Sequence, residues 1–233
     1  MSIALKADNS AFAIFIDEMQ DLDQDLLTAL ITVQHTAGQR GWPFYIVGAG
    51  LPNLPTTLSR ARTYAERLFD YRTIGPLEDV DAQYALTRPA KEMGAEYSPE
   101  ALATLLQASA RYPYFIQEFG KAIWDAAPAT PFTGDDAELA VFLGLGQLDA
   151  GFFSSRWGRA TRKERSYLRA MADDGDTGSS TSTIAERLGI KATALGPARA
   201  QLISKGIIYS PEHGRVAFTV PGMTGFILRQ HED

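Results

Sequence analysis

Two adjacent carboxylates follow the first long apolar run of the chain. The run Ala11–Ile16 has the length of a buried strand, and Asp17 and Glu18 come directly after it. Charges at the C-terminal edge of a parallel strand lie where open α/β sheets bind ligands. In such a place Asp17 would support Mg²⁺, directly or through water, and Glu18 would orient the attacking water in phosphoryl transfer.

The same carboxylates also have a purely structural interpretation. Acidic residues ahead of a helix stabilise the positive end of its dipole, and Asp21 and Asp23 are placed equally well for that purpose. An apolar run that ends in Asp-Glu is a weak signal by itself. The elements around it must decide between the two interpretations.

Phosphoryl transfer also needs a group that cradles the phosphates, and the sequence lacks the usual one. No segment of the 233 residues fits G-x-x-x-x-G-K-[ST], and the glycine-rich stretch "GDTGSST" contains no lysine. We therefore expect that this chain alone does not hold a nucleotide tightly.

The first third of the chain alternates between strand and helix patterns. A helical stripe from Leu22 to Val33 separates the first apolar run from a second, "WPFYIVGAG", and "YRTIGPL" is predicted to form a short third strand around Tyr71–Ile74. This order favours parallel strands joined by right-handed crossovers. The carboxylates would then lie at the ligand-binding edge of a sheet.

From Leu77 onward the patterns are helical. One helix is expected to be interrupted or kinked near Pro89, the next begins at Ser98 as N-cap, and "PATPFTGDD" has the composition of a linker. The last segment has the order helix, helix-turn-helix and two-stranded hairpin, which is typical of a winged helix. The predicted fold class is thus α/β plus all-α.

Composition limits the function classes. With 45% hydrophobic and 21% charged residues the chain is typical of globular proteins, and no apolar run approaches the roughly 20 residues of a membrane span. The start of the sequence lacks the apolar core of a signal peptide. The absence of cysteine fits a cytoplasmic protein, and three distant histidines argue against a histidine metal site. We expect no membrane partner.

Charge is unevenly distributed. Residues 1–149 hold 10 basic and 20 acidic side chains, whereas residues 150–233 hold 12 and 8. A basic C-terminal segment favours a nucleic-acid partner, although attraction between the two halves would explain the charges equally well.

Taken in order, these segments resemble an AAA+ ATPase of the origin-recognition-like group. "AIFIDEMQDL" is similar to its Walker B strand, "FYIVGAGLPNLP" to its sensor-1 strand, and "RYPYFIQEFGKAIW" to its lid helix. The C-terminal segments resemble its winged helix. The resemblance covers nearly the whole chain from Ala11, and it rests on the order and spacing of the segments.

The resemblance implies ATP and Mg²⁺ as cofactors and assigns roles to individual residues. Asp17 would support the Mg²⁺ through water and Glu18 would be the catalytic carboxylate. Asn53 is the first polar side chain after the sensor-1 strand, and Arg111 lies one turn from the sensor-2 position, which Tyr114 occupies. Candidates for an arginine finger that acts on a neighbouring molecule are Arg60, Arg62 and Arg67.

The resemblance also divides the chain into three domains. These are a partial parallel-sheet AAA+ core at residues 1–76 without its P-loop, a helical lid at 77–134, and a C-terminal winged helix at 135–233. In the winged helix only Gln201 among the groove-facing residues is equipped to contact a base edge. The side chains expected to contact DNA phosphates are Arg156, Arg159, Arg162, Lys163, Arg165 and Arg169.

Two functions from different classes follow. In the first, the chain is the C-terminal portion of an AAA+-type protein that couples nucleotide state to duplex DNA or to a protein partner, with no ATP hydrolysis by this chain alone. A protein partner would then supply the missing nucleotide-binding half. In the second, the chain is a non-enzymatic winged-helix module that binds DNA or protein and retains a relic of an ATPase site.

Overall fold

The computed structural model describes residues 10–230, which form two compact units. The first unit holds the described residues up to Thr73 together with Ile208–His213. The second holds Ile74–Ile207 and the described residues from Gly214 onward. This grouping does not test the division into three domains, which stays a prediction.

The first unit is built on two parallel strands. Strand β1, Phe12–Ile16, pairs with strand β2, Phe44–Gly48, in a register that places Ile14 opposite Ile46. Each strand lies on one of the two apolar runs, as the sequence predicts. The crossover between the strands contains helix α1, Gln24–Gln39.

The remaining elements of this unit follow β2. They are helix α2, Leu54–Ala61, and a 3-10 turn, Thr63–Arg67. Apolar residues from these elements, from α1 and from the turn after β1 form one core, with Ile16 and Ile46 of the sheet packed against it. The buried members of this core are Met19, Leu27, Ile31, Leu54, Leu58 and Ala65.

The opposite face of the sheet is apolar and open. Side chains alternate along a strand, so that Phe15, Tyr45 and Val47 share the face that points away from the core. Their exposed fractions are 78%, 56% and 50%. Within residues 10–230 the two strands pair only with each other, which leaves one free edge on each.

The third strand predicted around Tyr71–Ile74 is wrong. These residues have no regular secondary structure, and the side chain of Ile74 is 92% exposed. A strand at this position needs a neighbour to pair with, and neither β1 nor β2 pairs with it. Because the segment is exposed, its backbone groups reach water and avoid the roughly 1–3 kcal/mol cost of each unpaired buried group.

The second unit begins with four helices. Ser98 caps the second of them by accepting from the amide of Ala101, as the sequence predicts. The predicted interruption at Pro89 is wrong, because the first helix continues through this residue to Glu92. The helices are α3, Asp79–Glu92, α4, Pro99–Ser109, α5, Pro113–Ala126, and α6, Gly134–Gln147.

The segment predicted as a linker is attached to its surroundings. The amide of Phe132 donates to the Glu96 carbonyl at 2.8 Å, and its carbonyl accepts from the amide of Ser98 at 2.9 Å. The ring of Phe132 is buried against Tyr97 and Trp124. This segment is therefore a packed connection between α5 and α6.

A π-helical turn, Leu148–Phe153, continues α6 into the short helix α7, Ser154–Gly158. Its two adjacent rings, Phe152 and Phe153, pack against α5: both lie within 6 Å of Phe115, at centroid distances of 5.5 and 5.7 Å. Phe153 also stacks on Phe226. The aromatic rings of α5, of this turn and of the segment that contains Phe226 thus share one core.

The C-terminal elements follow the order predicted from the sequence, with two additions. The additions are a short strand before the second helix and a final helix that the sequence pattern did not reveal. The elements are α8, Arg162–Ala172, β3, Ser179–Ser180, α9, Thr181–Arg187, α10, Gly196–Ser204, β4, Ile208–Tyr209, β5, Arg215–Phe218, and α11, Met223–Arg229. Strand β3 pairs antiparallel with β5.

None of the helices described between residues 10 and 230 has the length and apolar character that crossing a membrane requires.

One residue of the C-terminal core is expected to be replaceable without loss. Tyr167 is fully buried, burial raises its pKa to about 12, and its hydroxyl has no hydrogen-bond partner among the described residues. An unsatisfied buried hydroxyl costs about 1–3 kcal/mol, so Tyr167→Phe should leave the free energy of unfolding unchanged or raise it by about 1 kcal/mol. Urea denaturation of both proteins measures this. A loss above about 1 kcal/mol would show that the hydroxyl has a partner.

Candidate functional site

The paired carboxylates lie at the end of β1, beside the loop that follows β2. Asp17 and Glu18 are both exposed. Because the strands are parallel, their C-terminal ends meet at the same edge of the sheet, as expected for a ligand site. The Asp17 carboxylate accepts from the amide of Glu18 at 2.9 Å.

Glu18 has an uncommon backbone conformation. Its φ of 48° and ψ of 43° lie in the left-handed region, which is rare for a residue other than glycine, asparagine or aspartate. Such residues persist where the surroundings hold them, and they concentrate at functional sites. The conformation turns the chain sharply from β1 into the 3-10 turn Met19–Asp21.

Backbone hydrogen bonds join this turn to the loop after β2. The amide of Met19 donates to the Ala49 carbonyl at 2.9 Å, and the amide of Ala49 donates to the Ile16 carbonyl at 2.8 Å. The carboxylates are therefore held at a fixed place against the segment Gly48–Gly50. Sequence reasoning did not identify Gln20, whose side chain also spans the two segments: it donates to Glu18 Oε2 and accepts from the amide of Leu51.

The other residues assigned to a nucleotide in this unit lie just before α2, on it and after it. Asn53 is the residue that precedes α2, and its side-chain Oδ1 is buried without a hydrogen-bond partner among the described residues. Arg60, Arg62 and Arg67 are exposed, and no ion pair is found for them in the described part of the chain.

Arg111, also predicted to contact a nucleotide, lies in the second unit and has a protein partner. Its guanidinium pairs with Asp79 at 2.7 Å, and its carbonyl accepts from the amide of Leu77 at 3.0 Å. Ala110 and Arg111 both have left-handed φ values, 48° and 57°. These two consecutive residues turn the chain between α4 and α5.

The carboxylates alone do not form a complete metal site. Among the described residues no group of three or more histidine, aspartate or glutamate side chains could hold a metal ion. Mg²⁺ is commonly bound by one or two carboxylates together with the phosphates of a substrate. Asp17 and Glu18 fit that pattern, in which the remaining ligands come from a nucleotide and water.

In the C-terminal region, three of the six basic residues predicted to contact DNA are held in internal contacts. Arg156 lies 3.8 Å above the ring of Phe152 and donates to its carbonyl at 3.1 Å. Arg165 and Arg169 lie over the ring of Trp157 at 5.2 and 5.6 Å. Burial lowers the pKa of Arg156, as expected for a guanidinium group that packs against the protein and is partly removed from water.

The other three basic residues are exposed together. Arg159 lies just before α8, and Arg162 and Lys163 are in its first turn. Cations at this end oppose the helix dipole, so their placement does not serve the stability of α8. On α10, Gln201 is exposed, as are Ala200 and Ser204, while Leu202 is buried.

A buried ion pair fixes the start of α8. Glu164, only 4% exposed, accepts from Lys205 Nζ at 2.6 Å and from the amide of its N-cap, Thr161, at 2.7 Å. Burial by itself raises the pKa of Glu164, but the hydrogen bonds from Lys205 and Thr161 outweigh it and the pKa is lowered. The capping-box signature T-x-x-E was visible in the sequence as "TRKE"; its tertiary partner Lys205 was not.

Comparison with solved structures identifies the fold. The Walker-type ATPase paby2304 of Pyrococcus abyssi superposes with a TM-score of 0.66 at 15% identity, covering 97% of this chain and 66% of that one. A variant of Thermotoga maritima RuvB gives a TM-score of 0.49 at 18% identity, covering 93% and 71%. The T. maritima RuvB Holliday junction branch migration motor gives 0.46 at 20% identity, covering 88% and 66%.

The comparisons of the sequence match only the C-terminal part of the chain. A model of a domain of unknown function, DUF8462, matches residues 150–227. No curated protein matches the chain. The fold is thus shown by the likeness to the P. abyssi ATPase and is AAA+ ATPase-like, which agrees with the small parallel sheet and the many helices.

Proposed function

We propose that this chain, whose fold is that of AAA+ ATPases, contributes the carboxylate half of a nucleotide site and couples nucleotide state to DNA or a protein partner through a C-terminal winged helix. We further propose the origin-recognition-like group as its place among these ATPases. The observation that carries the proposal is the position of Asp17 and Glu18 at the strand edge of this fold.

The site residues have separate roles in this proposal. Asp17 would support Mg²⁺ through water, and Glu18 would orient the attacking water and accept its proton. Asn53 has a buried oxygen with unused capacity to accept a hydrogen bond, which suits a bond from a water molecule. Mg²⁺, when bound with ATP, would neutralise charge on the transferred phosphoryl group.

The phosphate cradle must come from elsewhere. The 233 residues lack G-x-x-x-x-G-K-[ST], whose backbone amides and lysine bind the phosphates. Two exposed carboxylates alone repel a triphosphate. We propose that a polypeptide segment carrying this motif completes the site and that this chain alone does not hydrolyse ATP.

Residues 135–233 are proposed to be a winged helix that binds duplex DNA with little sequence preference. The exposed cations Arg159, Arg162 and Lys163 provide phosphate contacts, which position a protein without reading sequence. Helix α10 exposes mainly Ala200, Gln201 and Ser204, and only Gln201 has a side chain suited to a base edge.

A second function is favoured by one observation. The matching family model covers residues 150–227 and leaves out the segment that carries Asp17 and Glu18, which supports a function of the C-terminal part by itself. In that function the chain is a non-enzymatic DNA- or protein-binding module, and Asp17 and Glu18 are a relic.

Calorimetry with Mg-ATP tests the first proposal. The full chain alone is expected to show no binding in the micromolar range, because the phosphate cradle is missing. Co-purification of the tagged chain from its own host should recover a protein that carries G-x-x-x-x-G-K-[ST], and the joint assembly should bind Mg-ATP.

The possible outcomes separate the alternatives. Micromolar binding by the chain alone would show that it contains an unrecognised phosphate site. An assembly that binds Mg-ATP equally well after Asp17→Ala would place the metal elsewhere. Recovery of no such protein, together with DNA binding, would favour the non-enzymatic module.

A further inference from the structure

Gln20 connects the proposed catalytic carboxylate to the loop after β2. Its Nε2 donates to Glu18 Oε2 at 2.6 Å, and its Oε1 accepts from the amide of Leu51 at 3.0 Å. The second bond joins residues that are 31 positions apart in sequence. One side chain therefore spans both segments that form this edge of the sheet.

The chemistry of the contacts determines which way the carboxamide points. A backbone amide can only donate, so the group that faces Leu51 must be the carbonyl oxygen. The NH₂ group of Gln20 is then directed to Glu18, where an ionised carboxylate can only accept. An exchange of the two ends would place a donor against a donor and an acceptor against an acceptor.

The loop after β2 is shaped to admit this side chain. A Cβ atom at Gly50 would collide with Gln20 Oε1 and would lie 3.1 Å from Leu54 Cδ2. The Met19–Ala49 and Ala49–Ile16 backbone bonds hold the loop in place. A glycine at position 50 is thus required for the observed approach of Gln20 to Leu51.

The hydrogen bond from Gln20 is not needed to solvate the Glu18 carboxylate. The Glu18 side chain is exposed and water would satisfy its oxygens. The bond instead restricts one oxygen, Oε2, of a side chain whose backbone is already held in the left-handed region. Its other oxygen is left to accept from water.

We propose that Gln20 is a positioning residue for Glu18, which fixes the carboxylate relative to the loop Gly48–Leu51 and makes its orientation depend on that loop. The role in catalysis rests on the function proposed above. A displacement of Leu51 would release the carbonyl of Gln20 and with it the restraint on Glu18. A phosphate-bearing ligand against this loop would act on Glu18 through Gln20.

NMR of the ¹⁵N-labelled full chain without nucleotide tests the link directly. Glu18→Ala removes the acceptor of the Gln20 Nε2 bond, whereas the carboxamide introduced by Glu18→Gln keeps one. In Glu18→Ala the Gln20 side-chain NH₂ resonances and the Leu51 amide resonance should therefore both shift. In Glu18→Gln both shifts should be smaller.

The matched control is Asp21→Asn. Asp21 is the only other carboxylate near the Gln20 NH₂ group among the described contacts, at 3.5 Å. Its replacement should leave the Leu51 amide resonance at its wild-type position. In Gln20→Leu, hydrogen exchange of the Leu51 amide should become about fivefold faster as its bond is lost.

Two results would overturn the proposal: a Leu51 amide resonance that does not respond to Glu18→Ala, or one that responds equally to Asp21→Asn. A merely structural Gln20 would still protect the Leu51 amide but would not transmit the loss of the Glu18 carboxylate to it. Because no nucleotide is used, failure here is distinguishable from failure of Mg-ATP binding in the assembly.

Discussion

Replacement of Arg159, Arg162 and Lys163 with alanine is expected to lower the affinity for duplex DNA by about two orders of magnitude at about 0.1 M salt. Each phosphate neutralised releases counterions and contributes a slope of about −0.9 to the dependence of log affinity on log salt. Loss of three contacts should therefore flatten that slope by about 2.7. The effect should be similar for all duplex sequences.

Mobility-shift titrations of the full chain at two salt concentrations measure both quantities. The matched control is the triple replacement of Arg60, Arg62 and Arg67, which removes the same charge from exposed positions of the first unit. That variant should keep the wild-type slope. Gln201→Ala should change the affinity little.

Two results would contradict this prediction. If the wild-type chain gives no shift even at low salt, the C-terminal region is a protein-contact module. If Gln201→Ala instead abolishes a strong preference for one sequence, α10 reads bases and the three cations are secondary.

Lys205→Met is expected to reduce the free energy of unfolding by about 3 kcal/mol at neutral pH. The substitution leaves the Glu164 carboxylate buried without its cation, and breaking a buried pair from one side typically costs about 3–5 kcal/mol. Lys205 is itself partly exposed, so the lower value is expected. Urea denaturation monitored by circular dichroism measures the difference.

The pH dependence of this difference has a definite sign. The pKa of Glu164 in the folded chain is below its ordinary value of 4.5, so the stability from the ionised pair is present above that value. It is lost as the pH falls through the lowered pKa. The difference between the wild type and Lys205→Met should therefore shrink in acid.

An exposed ion pair provides the control. Arg88 and Glu92, four residues apart on α3, pair at 2.9 Å with both side chains at least 60% exposed. Arg88→Met should cost no more than about 0.5 kcal/mol. An equal loss in both variants would mean that removal of any cation, rather than burial of the carboxylate, destabilises the chain.

Local patterns predicted the parts of the fold that depend on one segment at a time. The apolar runs located β1 and β2, and the capping residue located the start of α4. The predicted strand at Tyr71–Ile74 depends on a pairing partner, which periodicity does not report. Pro89 removes one amide from the hydrogen bonds of α3, and the helix nevertheless continues past it to Glu92.

The candidate site shows the same division. Asp17 and Glu18 were visible as neighbours in sequence, whereas Gln20 gains its significance only from Leu51 across the sheet edge. The sequence also did not distinguish exposed from internally bound side chains among the basic residues between Arg156 and Arg169. In the structure Arg165 and Arg169 lie over the ring of Trp157 and each donates to a backbone carbonyl, whereas Arg162 and Lys163 are exposed.

The free edges and open face of the two-stranded sheet also bear on self-association. A strand with one free edge, as Phe12–Ile16 has within residues 10–230, is a template for intermolecular β-pairing and aggregation. Charged residues that flank such a strand act as gatekeepers against this. Asp17 and Glu18 stand at its end, where their acidic charge would oppose such pairing whether or not they serve catalysis.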